Sequence, residues 1–115
     1  MVSKDFEIFK KEFKKWQDKF GLNGWATYFV QEVLENKDTF AELRRDIENM
    51  TATACLNNEI SESNKQFKDI NRTAKHEAIH LLVGRLADCG RYRFVNEDEL
   101  NEAEEELVHK LEGLL

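Results

Sequence analysis

Phe6, Phe9, Phe13, Trp16 and Phe20 recur every three or four residues, and no other feature constrains the fold of this chain so tightly. Only an α-helix brings positions three and four apart onto one face. Lys10, Lys11, Lys14, Lys15 and Lys19 fall outside the stripe. Residues 4–20 therefore read as an amphipathic helix with Ser3 as its N-cap and Gly21 as its stop. Basic amphipathic helices also bind membranes or partner helices. A stripe this rich in large aromatics is instead expected to cover a sheet inside its own domain.

The periodicity then changes. Residues 25–34 are rich in aromatic and β-branched side chains, the composition of a strand. Leu43, Arg45 and Ile47 alternate with Glu42, Arg44 and Asp46, and Met50, Ala52, Ala54 and Leu56 alternate with Thr51, Thr53, Cys55 and Asn57. With Glu48-Asn49 as the turn, residues 41–57 are expected to form a β-hairpin. Residues 58–72 are polar and weakly patterned, a loop with a short helical turn around Lys65 to Ile70. A second helix is expected from Thr73 to about Cys89, stopped by Gly90. A last helix runs from about Glu97 to Leu114, with acids in its first turns where the helix dipole favours them. A chain of 115 residues, 41% apolar, is long enough for one core. The expectation is a single α+β domain spanning 1–115: N-terminal helix, small three-stranded sheet, second helix, C-terminal helix.

The net charge is −6, but seven acids (Glu97, Asp98, Glu99, Glu102, Glu104, Glu105 and Glu106) lie within ten residues, so the acidity is local. No nucleic-acid-binding surface is expected from that balance. No apolar run approaches the ~20 residues that span a bilayer, and the first residues lack the apolar core of a signal peptide. Cys55 and Cys89 form no disulfide framework and no Cys-x-x-Cys pair. These features predict a cytoplasmic chain with no membrane association.

His76-Glu77-Ala78-Ile79-His80 has the pattern His-Glu-x-x-His, and it lies inside the second expected helix. Four residues apart, the two imidazoles share a helix face one turn apart and can reach one metal ion, which for this pattern is Zn2+. Glu77 follows the first ligand. It is placed to accept a proton from a zinc-activated water as that water attacks a carbonyl.

A catalytic zinc needs a third protein ligand. The pattern with a third histidine, His-Glu-x-x-His-x-x-Gly-x-x-His, fails, because Val83 and Leu86 stand at the required positions. His109 projects away from the apolar face of the last helix. That face is set by Leu100, Ala103, Leu107, Val108, Leu111 and Leu114, and on a helical wheel Glu104 falls within it. A carboxylate in a core stripe needs a partner, and a metal would be one. Glu104 is the favoured third ligand and Glu105 its rival. Arg91, Tyr92 and Arg93 lie between the two site-bearing helices and read as exposed loop residues.

The His76-Glu-Ala-Ile-His80-Leu-Leu helix, followed about two dozen residues later by a Glu-bearing helix, resembles the gluzincin branch of the zincin metallopeptidases. The order of elements resembles the minimal gluzincins and the ImmA/IrrE-type and SprT-like domains of phage and bacterial genomes. Glu104 followed by Leu107, Val108, Leu111, Leu114 and Leu115 is similar to the ligand-helix spacing of the ImmA/IrrE type. The resemblance implies zinc-dependent hydrolysis of a peptide or protein substrate. It also implies that the strand before the active helix, residues 50–57, lies at the sheet edge beside the cleft. The alternative is a zincin-like domain that binds zinc without turnover and serves protein interaction.

Overall fold

The computed structural model describes residues 3–60, 62–91 and 95–114. Its first element, α1 (Lys4–Lys19), starts where Ser3 Oγ accepts the Phe6 N–H at 3.1 Å. Phe6, Phe9, Phe13 and Phe20 are buried, as the stripe predicts, while Trp16 is only partly covered. Gln17 lies in the same stripe and is also buried, and its amide is fully used. Nε2 donates to the carbonyls of Leu22 and Trp25 at 3.0 and 3.1 Å, and Oε1 accepts from Thr27 Oγ1 at 3.0 Å. That clamp ties the end of α1 to the turn at Gly21, whose φ of +70° suits a residue without a Cβ.

Three strands follow: β1 (Ala26–Glu32), β2 (Ala41–Asp46) and β3 (Thr51–Asn57). Strands β2 and β3 form the expected antiparallel hairpin, with Leu43 opposite Ala54 and Arg45 opposite Ala52. The sheet order is β1-β3-β2, with β1 parallel to β3, so β3 is the middle strand. This corrects the expectation that residues 50–57 form an edge. The reason lies in the sequence of β3: Ala52, Ala54, Cys55, Leu56 and Asn57 are all buried, as suits a strand flanked on both sides. The half-wet β2, with Glu42 and Arg44 facing outward, takes the edge.

Alternation gives the sheet two unlike faces. Phe29, Ala52, Ala54, Leu56, Ala41 and Leu43 belong to or pack on the core with α1, and Phe29 meets Phe9 and Phe13 edge-on at ring separations of 6.4 and 5.4 Å. The opposite face carries Tyr28, Arg44, Glu42, Thr53 and Cys55.

After a 3-10 turn at Glu62–Phe67, α2 runs over Ile70–Leu82 and α3 over Gly84–Arg91. Asp69, not Thr73, caps α2, accepting the Arg72 N–H at 3.2 Å. The single helix expected to Cys89 is thus two helices, broken at Val83. The last helix, α4 (Glu97–Glu112), is capped by Asn96, which accepts the Glu99 N–H at 2.8 Å. It packs on α3 and anchors back to the first turn, where Lys110 Nζ donates to the Gly21 carbonyl at 2.8 Å. Among the described residues the architecture is α+β, with four α-helices and a small mixed sheet. Among the described residues, no helix is long and apolar enough to cross a membrane.

Candidate metal centre

Helix α2 carries both motif histidines on its solvent face and the motif glutamate on its buried side. His76 and His80 lie one turn apart with their rings edge to face, centroids 4.8 Å apart. Their Nε2 atoms converge to 3.2 Å. Two imidazole nitrogens bound tetrahedrally to one zinc at ~2.05 Å would stand roughly 3.3 Å apart. The donor type and the spacing of this pair therefore fit zinc. Burial, the neighbouring His76 and then Arg45 hold the His80 pKa below its ordinary value, which keeps the imidazole neutral and able to ligate.

Glu77 is 5% exposed. Burial, followed by the charge of Glu42, raises its pKa to about 7, the range of a carboxylate that can both take and return a proton near neutrality. Its side chain shares with His76 the wall of a cleft of about 410 Å³. Arg72 and Thr73 of α2, its cap Asp69, and Thr39, Phe40 and Ala41 at the start of β2 complete that cleft. Helix geometry thus separates the two kinds of side chain. A 100° step sets Glu77 apart from the histidine face, toward the space between α2 and the edge strand.

Glu104 does not lie in a core stripe. It is exposed, and so is Glu105. The buried face of α4 centres on Ala103, with Glu106, Leu107, Lys110 and Leu114 partly covered, while Leu100, Val108 and Leu111 are exposed. Two contacts choose that rotation: Arg85 of α3 grips Glu102 at 3.0 Å and Glu106 at 2.8 Å, and Lys110 holds Gly21. The docked face also points α4 toward the far end of the hairpin. Glu106 borders a hollow with Trp25, Ile47 and Met50, whereas His76 and Glu77 face Ala41, at the other end of β2. Among the described residues no third His, Cys, Asp or Glu donor joins the histidine pair within 4.8 Å. His109 stands exposed between Glu105 and Glu112, at 3.6 and 3.8 Å. Arg91 pairs with Asp88 at 3.2 Å, and Tyr92, Arg93 and Leu115 lie outside the described residues.

One cluster with metal-ligating chemistry escaped the sequence reading: Glu32, Glu42 and Cys55, brought together on the outer sheet face by strand register. The signal was the period-two alternation, but using it required the strand order. The cluster already holds a cation. The Arg44 guanidinium lies 2.6 Å from Glu32 and 2.7 Å from Glu42. Burial also raises the Cys55 pKa, keeping it a thiol and not the thiolate that metals need. On both counts the histidine pair is the more open candidate, with two donors to the cluster's three. Neither a protein-family model, nor a curated protein, nor a solved structure matches this chain.

Proposed function

We propose that this chain is a single-domain zinc metallopeptidase of the gluzincin type, acting in the cytoplasm on peptide or protein substrates. The observation that carries this reading is the convergence of His76 and His80 Nε2 at 3.2 Å beside a cleft that Glu77 also lines. His76 and His80 are two ligands, and spacing along the sequence supports Glu104, before Glu105, as the third, although α4 docks toward the other end of the hairpin. When bound, zinc supplies a Lewis acid that polarises a carbonyl and acidifies water. Glu77, buried and facing the cleft, is the group that takes and returns the proton.

The substrate's place follows from the sheet. Strand β2 is an edge whose outer backbone groups have no strand partner among the described residues, and its first residue, Ala41, lines the cleft with His76 and Glu77. An extended peptide added to β2 would run past both groups. The test is metal content by mass spectrometry on untagged protein, beside a His80→Ala variant, followed by a peptide-library screen. Near-stoichiometric zinc lost in the variant, with cleavage by the wild type, supports the proposal. Protein that binds no zinc even when it is offered overturns it.

The exposed Glu104 favours a second reading: a zinc-binding interaction module without turnover. Its signature is a stoichiometric site that cleaves nothing across a diverse library.

A further inference from the structure

The helical ladder of α2 ends at Val83, whose N–H reaches the Ile79 carbonyl at 3.0 Å, and α3 begins one residue later. His80 therefore sits in the last turn of α2, where carbonyls need partners from outside the helix. Arg45, reaching over from β2, supplies one. Its Nη1 donates to the His80 carbonyl oxygen at 3.5 Å. The other nitrogens of the guanidinium are fixed by α3: Nη2 donates to Asp88 Oδ1 at 2.8 Å and Nε to Asp88 Oδ2 at 3.3 Å. The side chains of this pair are only 12% and 19% exposed, so the fork is held in one orientation. Gly84 makes the approach possible, because a Cβ there would stand 2.6 Å from Arg45 Cδ and 2.8 Å from Nε.

We propose that Arg45 is a positioning residue for the histidine pair, locking the last turn of α2 so that the His80 imidazole stays aligned with that of His76. The inference rests on the metal reading of the pair. A helix end frays first, and His80 is within a turn of it. With β2, α2 and α3 tied through one guanidinium, the turn cannot loosen without breaking a half-buried ion pair. The same link couples the edge strand offered to a peptide with the backbone that carries a metal ligand.

The experiment compares the full chain with Arg45→Met, Arg45→Lys and Gly84→Ala. It reads zinc affinity by competition with a chromophoric chelator, the visible absorption of the Co2+-loaded site, and thermal melting. Arg45→Met is expected to weaken zinc binding roughly tenfold or more, the usual cost of losing an outer-shell partner, and to change the Co2+ bands. Arg45→Lys should recover part of both, since one ammonium reaches Asp88 or the His80 carbonyl but not both. Gly84→Ala displaces the guanidinium without removing its charge and should shift both readouts in the same direction. It decides the matter if Arg45→Met does not fold. Wild-type zinc affinity and an unchanged Co2+ spectrum in a folded variant that only melts lower would overturn the proposal, leaving Arg45 a structural pair. Wild-type protein that takes up neither metal would overturn the reading of the histidine pair itself, and this inference with it.

Discussion

Gln17 is the polar interruption in an otherwise aromatic stripe, and its burial is explained by three hydrogen bonds to the Gly21–Thr27 segment. Replacing it with Leu keeps the volume but removes the side-chain donor to the Trp25 carbonyl and the acceptor of the Thr27 hydroxyl, while the Leu22 carbonyl keeps the Trp25 N–H. Gln17→Leu should therefore destabilise the fold by about 1–3 kcal/mol, seen as a lower urea midpoint with an unchanged slope. Glu77 makes the opposite case, a buried carboxyl whose proposed role is chemical. Desolvation of its carboxylate is a cost to the fold, so Glu77→Gln should melt no lower than the wild type and should still bind zinc. It should lose peptide hydrolysis by on the order of 10²–10⁴-fold, the usual contribution of a general base. A variant that keeps its activity would remove Glu77 from the mechanism. The two residues differ in how far the sequence reaches them. The role proposed for Glu77 rests on its place in a five-residue motif, whereas the partners of Gln17 depend on a turn that no periodicity describes.

Among the elements, α1 and the antiparallel pairing of β2 with β3 were legible, because each has an apolar face at its own period, although the turn takes in Ile47 and Met50 as well as Glu48 and Asn49. Helix α4 was not. It has two adjoining apolar rows, Leu100-Val108-Leu111 and Ala103-Leu107-Leu114, and the choice between them is made by Arg85 and Lys110, residues outside the pattern. The observed choice has a direct test. Leu100→Glu should change stability by no more than ~0.5 kcal/mol, as for other exposed positions, while Ala103→Leu should cost about 1–3 kcal/mol by overpacking the contact with α3. The reverse ranking in chemical denaturation would mean that α4 docks on the other row. The break between α2 and α3 was equally hidden, and the side chain that lies against it, Arg45, comes from a strand far away in the sequence. That link carries a pH signature. The Arg45 guanidinium, first through its hydrogen bonds, holds the Asp88 carboxyl below its ordinary range. A depressed carboxylate pKa stabilises the fold above the unfolded value of ~3.9, and that stabilisation is lost as pH falls through the lower folded value. Asp88→Asn should thus lower stability near neutrality yet flatten its decline below about pH 4, measured as urea midpoints across that window.

For the whole molecule, the α+β class and the order of elements could be read from the changes in period along the chain. The strand order could not, because placing β3 between its neighbours depends on pairing β1 with a strand beyond the hairpin turn. That one topological fact moves the sheet edge beside the cleft from residues 50–57 to β2, whose Ala41 lines the cleft with His76 and Glu77. The third ligand is where sequence and structure part: spacing favours Glu104, and the packing of α4 leaves it in solvent. Linkage can decide between the two α4 carboxylates without any knowledge of substrate. A metal that binds only the folded chain stabilises it by about 2.7 kcal/mol at a free concentration one hundred times its Kd. For a domain of this size that is a rise in Tm of roughly 10 °C, reversed by a chelator. His80→Ala should abolish the rise. If Glu104 completes the site, Glu104→Gln should reduce it sharply at the same zinc concentration while Glu105→Gln keeps it. Equal rises in both variants would mean that the histidine pair takes its metal without α4, and would favour the interaction module over the peptidase.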